Sequence, residues 1–108
     1  MDPITSIFFI KMIEAALGGF IFASVVMLTI LYFDSIISWF RSKSYLKQSD
    51  VNNIAFSLND KTDGKYSTVY GIYNTKNETV LEAQKVNSND IDDQIKLMHK
   101  GSKLAVYE

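Results

Sequence analysis

A chain of 108 residues with no cysteine and a formal net charge of −1 is restricted in the chemistry it can support. It has no disulfide framework, no thiolate nucleophile and no cysteine-based metal site. Its 11 basic and 12 acidic residues are spread along the chain. We therefore expect no nucleic-acid partner, because such a surface needs clustered cations.

The first element is an apolar run from Ala15 to Phe33 that contains no charged residue. A bilayer core needs about 20 mostly apolar residues in a helix, and only helices and closed barrels satisfy the backbone there. One run cannot close a barrel, and the remaining chain is too small to bury such a helix in a soluble core. A cleaved signal peptide is disfavoured because no base precedes Lys11. The run therefore predicts a single transmembrane helix.

This helix is expected to be longer than the apolar run itself, from about Pro3 to about Leu46. Only Gly18-Gly19, inside the run, resembles a turn signal. At about 1.5 Å per residue, the helix would exceed the hydrocarbon thickness of about 30 Å. One end must then project from the bilayer, lie in its interface or be covered by another protein.

Charged side chains border the predicted span. The membrane-edge charges are Lys11, Glu14, Asp34, Arg41 and Lys43. Ionisable groups inside a membrane are costly and are candidates for function, but these five lie outside Ala15–Phe33, so an edge position is favoured. The excess of bases after the span predicts that the C-terminal side is cytoplasmic.

Small residues at Ala15, Gly19 and Ala23 repeat at four-residue spacing. Such a pattern predicts close packing of the helix against another helix. Because the chain has one span, this packing would be between molecules. The alternative is chance, since small residues are frequent in membrane helices.

After Ser49 polar and apolar residues alternate, which predicts a small β-rich domain. Strands are expected over 53–58, 66–74, 79–86 and 104–107. Asp63-Gly64 is a strong hairpin signal between the first two strands. A helix capped by Ser88 or Asn89 is expected before the last strand, with its apolar residues on one face.

The predicted fold class is membrane α+β, with one long N-terminal transmembrane helix followed by a β-β-β-α-β soluble domain. The helix with its interfacial extensions occupies residues 1–48 and the head domain residues 49–108. A head this small buries little apolar surface. We therefore expect it to gain stability by docking on a partner or on a copy of itself.

The second strand of the head carries the predicted docking residues Tyr66, Tyr70 and Tyr73. Alternation places Tyr70 and Tyr73 on opposite faces, and both faces are partly apolar. We expect the helix to cover one face, and a partner or the membrane-proximal segment to cover the other. Stacking of nucleic-acid bases on these rings is disfavoured, because few basic side chains lie beside them to bind phosphates.

No residue pattern predicts catalysis. The chain has no nucleophile elbow, phosphate-binding loop, dinucleotide fingerprint or zinc-protease motif. His99 is the single histidine, and its lysine neighbours argue against a metal site. Asp90, Asp92 and Asp93 are explained as acids in the first turn of a helix. We expect no enzymatic activity, no cofactor and no bound metal.

Together these features predict a non-catalytic single-pass membrane protein that is a structural or accessory subunit of a larger membrane-associated assembly. Its partners would be the lipid bilayer and other protein subunits, or copies of itself. Three alternatives are weighed. The chain could tie the bilayer of a lipid-containing virion to its protein shell, or it could be an ion- or proton-translocating component that uses Glu14. A membrane-tethered sensor whose head binds a small ligand is disfavoured, because so small a head has little room for a pocket of about 300 Å³ or more.

Overall fold

The described residues form one five-stranded sheet with helices on both faces. The computed structural model describes residues 3–22 and 24–107, with side chains from residue 7 onward. The elements are α1 (Pro3–Gly18), β1 (Val25–Leu31), α2 (Phe33–Ser42), α3 (Ser44–Gln48), β2 (Asn53–Thr62), β3 (Lys65–Asn74), β4 (Thr79–Ile91), α4 (Asp93–His99) and β5 (Leu104–Tyr107). The strand order is β1-β4-β3-β2-β5. Strand β1 runs parallel to β4, and the other pairs are antiparallel.

The predicted transmembrane helix, and with it the predicted fold class, is wrong. Among residues 3–22 and 24–107, no helix has both the length and the apolar character needed to cross a membrane. The fold is a small α+β domain with a five-stranded sheet. The predicted localisation, a single-pass protein with its C-terminal domain in the cytoplasm, is wrong on the same finding.

The apolar run is divided because its two halves prefer different backbone conformations. Helix α1 ends at Gly18, where Gly19 N–H donates to the carbonyl of Ala16 at 3.3 Å and tightens the last turn. Glycine disfavours helix by about 1 kcal/mol relative to alanine. The β1 segment is rich in β-branched residues, which favour strands. The mean hydropathy of the run shows only that it is apolar. It does not distinguish the helix-forming first half from the strand-forming second half.

Strand β1 joins the two predicted regions, residues 1–48 and 49–108, in one sheet. It pairs with β4 over Val25–Leu31, so residues from both sides of that position lie in the same sheet. The predicted boundary itself falls between α3 and β2. The N-terminal region therefore contributes a strand to the sheet.

Each face of the sheet is covered by helices of the chain itself. Helix α1 covers one face, where Ile13 packs in a cluster with Phe56 and Tyr73. Helices α2, α3 and α4 cover the other face, where Ile36 and Ile95 belong to the core. The sequence predicts that the helix of the head covers one face and that a partner or the membrane-proximal segment covers the other. The membrane-proximal residues instead form α2 and α3 on the same face as α4. The other face is covered by α1, which belongs to the predicted transmembrane helix.

From Asn53 onward the order of elements is β-β-β-α-β, as predicted. The hairpin at Asp63-Gly64 is confirmed. Both residues have positive φ, 54° and 77°, as a two-residue turn of this kind requires. Thr62 pairs directly with Lys65 across it.

The predicted cap of α4 at Ser88 or Asn89 is wrong, because β4 continues to Ile91 alongside β1. The cap is Asp92, whose Oδ1 accepts from Ile95 N–H at 3.1 Å. Its Oδ2 accepts from Phe33 N–H at 2.6 Å, at the first residue of α2. One carboxylate therefore serves the N-termini of two helices, an arrangement favoured by both helix dipoles.

Candidate functional site

The predicted docking tyrosines are mostly enclosed by the chain's own helices. Tyr70 is 3% exposed and Tyr73 0% exposed, on opposite faces as the alternation predicts. The Tyr70 ring lies 5.4 Å from the ring of Trp39, and the Tyr73 ring 6.3 Å from that of Phe9. Tyr66 is half-buried. Tyr70 and Tyr73 therefore have almost no exposed surface to offer a partner.

The predicted helix-packing residues do not lie on one helix. Ala15 is exposed in α1, and Gly19 is exposed just beyond the end of that helix. Ala23 lies outside the described residues. Ala15 and Gly19 are therefore not on a continuous helical face, which the predicted packing between helices requires.

The predicted membrane-edge charges lie on the protein surface. Glu14 Oε2 accepts a hydrogen bond from Lys103 Nζ at 3.1 Å, and both side chains are partly exposed. Lys43 Nζ lies 3.8 Å from a carboxylate oxygen of Glu82 and 5.7 Å from the ring centroid of Trp39. The remaining members, Lys11, Asp34 and Arg41, are exposed. Exposed pairs of this kind contribute little to stability.

A buried polar cluster consists of Ser57 on β2, His99 at the end of α4 and Tyr107 on β5. Ser57 Oγ lies 2.8 Å from His99 Nε2 and 2.8 Å from the Tyr107 hydroxyl. His99 Nδ1 lies 2.9 Å from the carbonyl oxygen of Ser102. All three cluster residues are buried. Their separation along the chain leaves no local sequence signal that could have predicted the cluster.

The hydrogen bonds of the buried polar cluster run in one direction when His99 is neutral. Nδ1 faces a carbonyl oxygen, which can only accept, so the proton is on Nδ1 and Nε2 accepts from Ser57. Ser57 in turn accepts from Tyr107. Burial lowers the pKa of His99, although its hydrogen bond with the Ser102 backbone opposes the shift. Burial also raises the pKa of Tyr107.

The Ser57–His99 pair has the geometry of a nucleophile beside a general base, but a substrate has no access to the Ser57 hydroxyl. Ser57 has no exposed surface, and its hydroxyl is enclosed between His99 and Tyr107. A substrate carbonyl could not approach Oγ without displacing Tyr107 from the core. The arrangement instead satisfies buried polar atoms, which are costly when left unpaired.

Acidification is expected to destabilise the fold through His99. Its pKa is lowered in the folded state, so the unfolded chain binds more protons as the pH falls through about 6.5. The free energy of unfolding should therefore be maximal above that value and should fall between pH about 7.5 and about 5.5. Urea unfolding at several pH values measures this slope, and NMR titration of the single histidine should give a midpoint below about 6.5.

His99→Gln is the control for this pH dependence. The variant lacks the titrating group, so its stability should change much less over the same range, where ordinary carboxylates remain ionised. An equal slope in both proteins, together with a His99 midpoint at or above the usual value, would contradict the neutral buried imidazole.

The clearest surface feature is the β1 edge, the outer side of strand Val25–Leu31. Strand β1 is at the end of the strand order, so it has a neighbouring strand on one side only within the described part of the chain. Met27 is 71% exposed, and Val25, Leu28 and Ile30 are each more than a third exposed. No residue of β1 is charged. This is an exposed, apolar, unprotected strand edge.

Comparison of the chain with protein-family models, with curated proteins and with solved structures gives no match. Within the described residues, no group of three or more histidine and carboxylate side chains could hold a metal ion.

Proposed function

We propose that the chain is a non-catalytic structural subunit that self-assembles by pairing its β1 edge with that of a second copy. The exposed, uncharged β1 edge is the observation that carries the proposal.

The composition of the β1 edge supports this proposal. Free strand edges present unpaired N–H and C=O groups and invite pairing with another chain. Proteins that stay monomeric protect such edges with lysine, proline, bulges or short strands. Strand β1 is seven residues long, VVMLTIL, and contains neither lysine nor proline. At the opposite end of the sheet, β5 is only four residues long, so β1 is the edge suited to assembly.

The side chains next to the β1 edge also favour a second copy over solvent. Val26 and Leu28 border a gap of about 560 Å³ between the sheet and α2, which is also lined by Trp39 and Tyr70 and by polar residues of α2. An antiparallel pair of β1 strands would extend the sheet through a two-fold axis and cover apolar side chains at its centre. Such a contact is self-complementary and closed, so it produces a dimer and not a fibre.

Met27→Lys is expected to convert a dimer into a monomer. Lysine on the edge strand of both copies brings two desolvated cations together, a device that blocks edge pairing. Met27 is exposed, so the folded monomer should tolerate the change. Sedimentation equilibrium over a range of micromolar concentrations measures the oligomeric state of both proteins.

Leu97→Lys is the matched control, because Leu97 is 70% exposed, close to the value for Met27, but lies on α4. It should remain dimeric. A wild-type chain that is monomeric at every concentration would contradict self-assembly. A dimer that survives Met27→Lys would contradict assembly through the β1 edge.

A further inference from the structure

A groove of about 630 Å³ opens on the helical face of the sheet, next to strand β5. Helices α2 and α3 form one wall and α4 contributes to the other, while β2 and β5 form the floor. The volume is within the range of about 300–1,000 Å³ that is usual for small-molecule sites. It is distinct from the β1 edge, which lies at the other end of the sheet.

The groove combines an apolar interior with positive charge. Ile37, Phe40, Met98 and Tyr107 provide its apolar surface. Arg41, from the last turn of α2, and Lys47, from α3, also line it. None of its lining residues, as far as the chain is described, is acidic. The charge of the described lining is therefore of one sign, whereas the protein as a whole carries a net charge of −1.

We propose that this groove binds a free single-chain amphiphile with an anionic head, such as a fatty carboxylate or an alkyl phosphate. The alkyl chain would lie against Phe40, Met98 and Tyr107, where its burial is favourable. The head would interact with Arg41 and Lys47. The guanidinium of Arg41 can form two parallel hydrogen bonds with a carboxylate or phosphate.

The charge and shape of the groove favour this ligand over a lipid bilayer or a protein helix. Two cations are sufficient for one head group, whereas membrane surfaces are usually bound by larger clusters of basic residues. A helix in a groove needs apolar anchors repeated over several turns, whereas the lining of this groove includes two cations and the polar residues Ser44 and Gln48. The matching occupant is one apolar chain with one anionic group.

Binding of monomeric dodecanoate, measured by titration calorimetry below its micelle concentration, tests the proposal. The wild-type chain should bind it at one site per protomer. The double variant Arg41→Gln/Lys47→Gln should bind it about tenfold more weakly, because charge-assisted hydrogen bonds are lost. The control Lys65→Gln/Lys76→Gln removes two exposed lysines outside the groove and should leave binding unchanged.

A second pair of variants tests whether the alkyl chain occupies the groove. Met98→Trp adds bulk to a lining residue and should abolish binding. Leu97→Trp adds the same bulk one position earlier on α4, outside the groove, and should bind normally. Tyr107 connects the groove to His99 through Ser57, so dodecanoate should also shift the NMR signals of His99.

Several results would overturn the proposal. These are no heat of binding with dodecanoate, equal weakening in the two charge variants, or normal binding by Met98→Trp. Binding of dodecyltrimethylammonium as tightly as dodecanoate would show that the cations select nothing. Binding only to vesicles that contain phosphatidylglycerol would identify a membrane surface as the ligand instead.

Discussion

Ile13→Ala should lower the free energy of unfolding by about 2–5 kcal/mol, the usual cost of truncating a fully buried isoleucine. Ile13 is 0% exposed and lies on the side of α1 that packs against the sheet, in the cluster that contains Phe56 and Tyr73. Removing its outer carbons leaves a cavity against two aromatic rings that cannot collapse freely. For a domain with a typical stability of about 5–15 kcal/mol, this is a large fraction of the total.

Ile7→Ala provides the control, because Ile7 is in the same helix and is 57% exposed. It should change the stability by about 0.5 kcal/mol or less. Urea unfolding followed by the fluorescence of Trp39, the single tryptophan, reports on the opposite face of the sheet. Small and equal effects at both positions would show that α1 does not pack on the sheet, and would restore the interpretation of an independent N-terminal helix.

Gly71→Ala is expected to cost about 3 kcal/mol or more, above the usual range for added bulk in a packed interior. Gly71 lies in β3, paired with Phe56 on one side and Ala83 on the other. A Cβ placed there would overlap the backbone oxygen of Glu82 and lie 2.9 Å from Ala83 Cβ. The first of these atoms belongs to the backbone of β4, so relief requires the strand to move.

Gly18→Ala is the matched glycine replacement, because a Cβ at this position would meet no atom within 4 Å. It is expected to be neutral or to stabilise α1 by up to about 1 kcal/mol. Far-ultraviolet circular dichroism and urea unfolding measure both variants. A cooperative transition for Gly71→Ala at the wild-type urea midpoint would contradict the close approach of β3 and β4.

The part of the fold that sequence reasoning predicted depends on local patterns. Alternation of polar and apolar residues identifies β2, aromatic and β-branched residues identify β3, and Asp63-Gly64 specifies the turn between them. The same alternation assigned Tyr70 and Tyr73 to opposite faces. It did not show that α1 and α2 would cover those faces, because a pattern identifies an apolar surface but not its partner.

The candidate sites depend on contacts that no short window contains. The buried polar cluster joins Ser57 to His99 and Tyr107, which are 42 and 50 residues away in the chain. The groove combines residues of α2 and α3 with residues of α4 and β5. The β1 edge was not predicted, because an apolar segment such as Val25–Leu31 has the same composition as part of a membrane helix.

The sequence by itself determined the features that depend on residues close together in the chain. These are the apolar character of residues 15–33, the strand alternation after residue 50 and the hairpin turn. Long-range pairing decided the rest. Val25–Leu31 becomes a strand because β4 lies beside it, with Val25 opposite Lys85 and Leu31 opposite Ile91. Those hydrogen bonds extend β4 and move the cap of α4 to Asp92. Backbone groups must be paired wherever water is excluded, and only the assembled sheet determines which partner each group has.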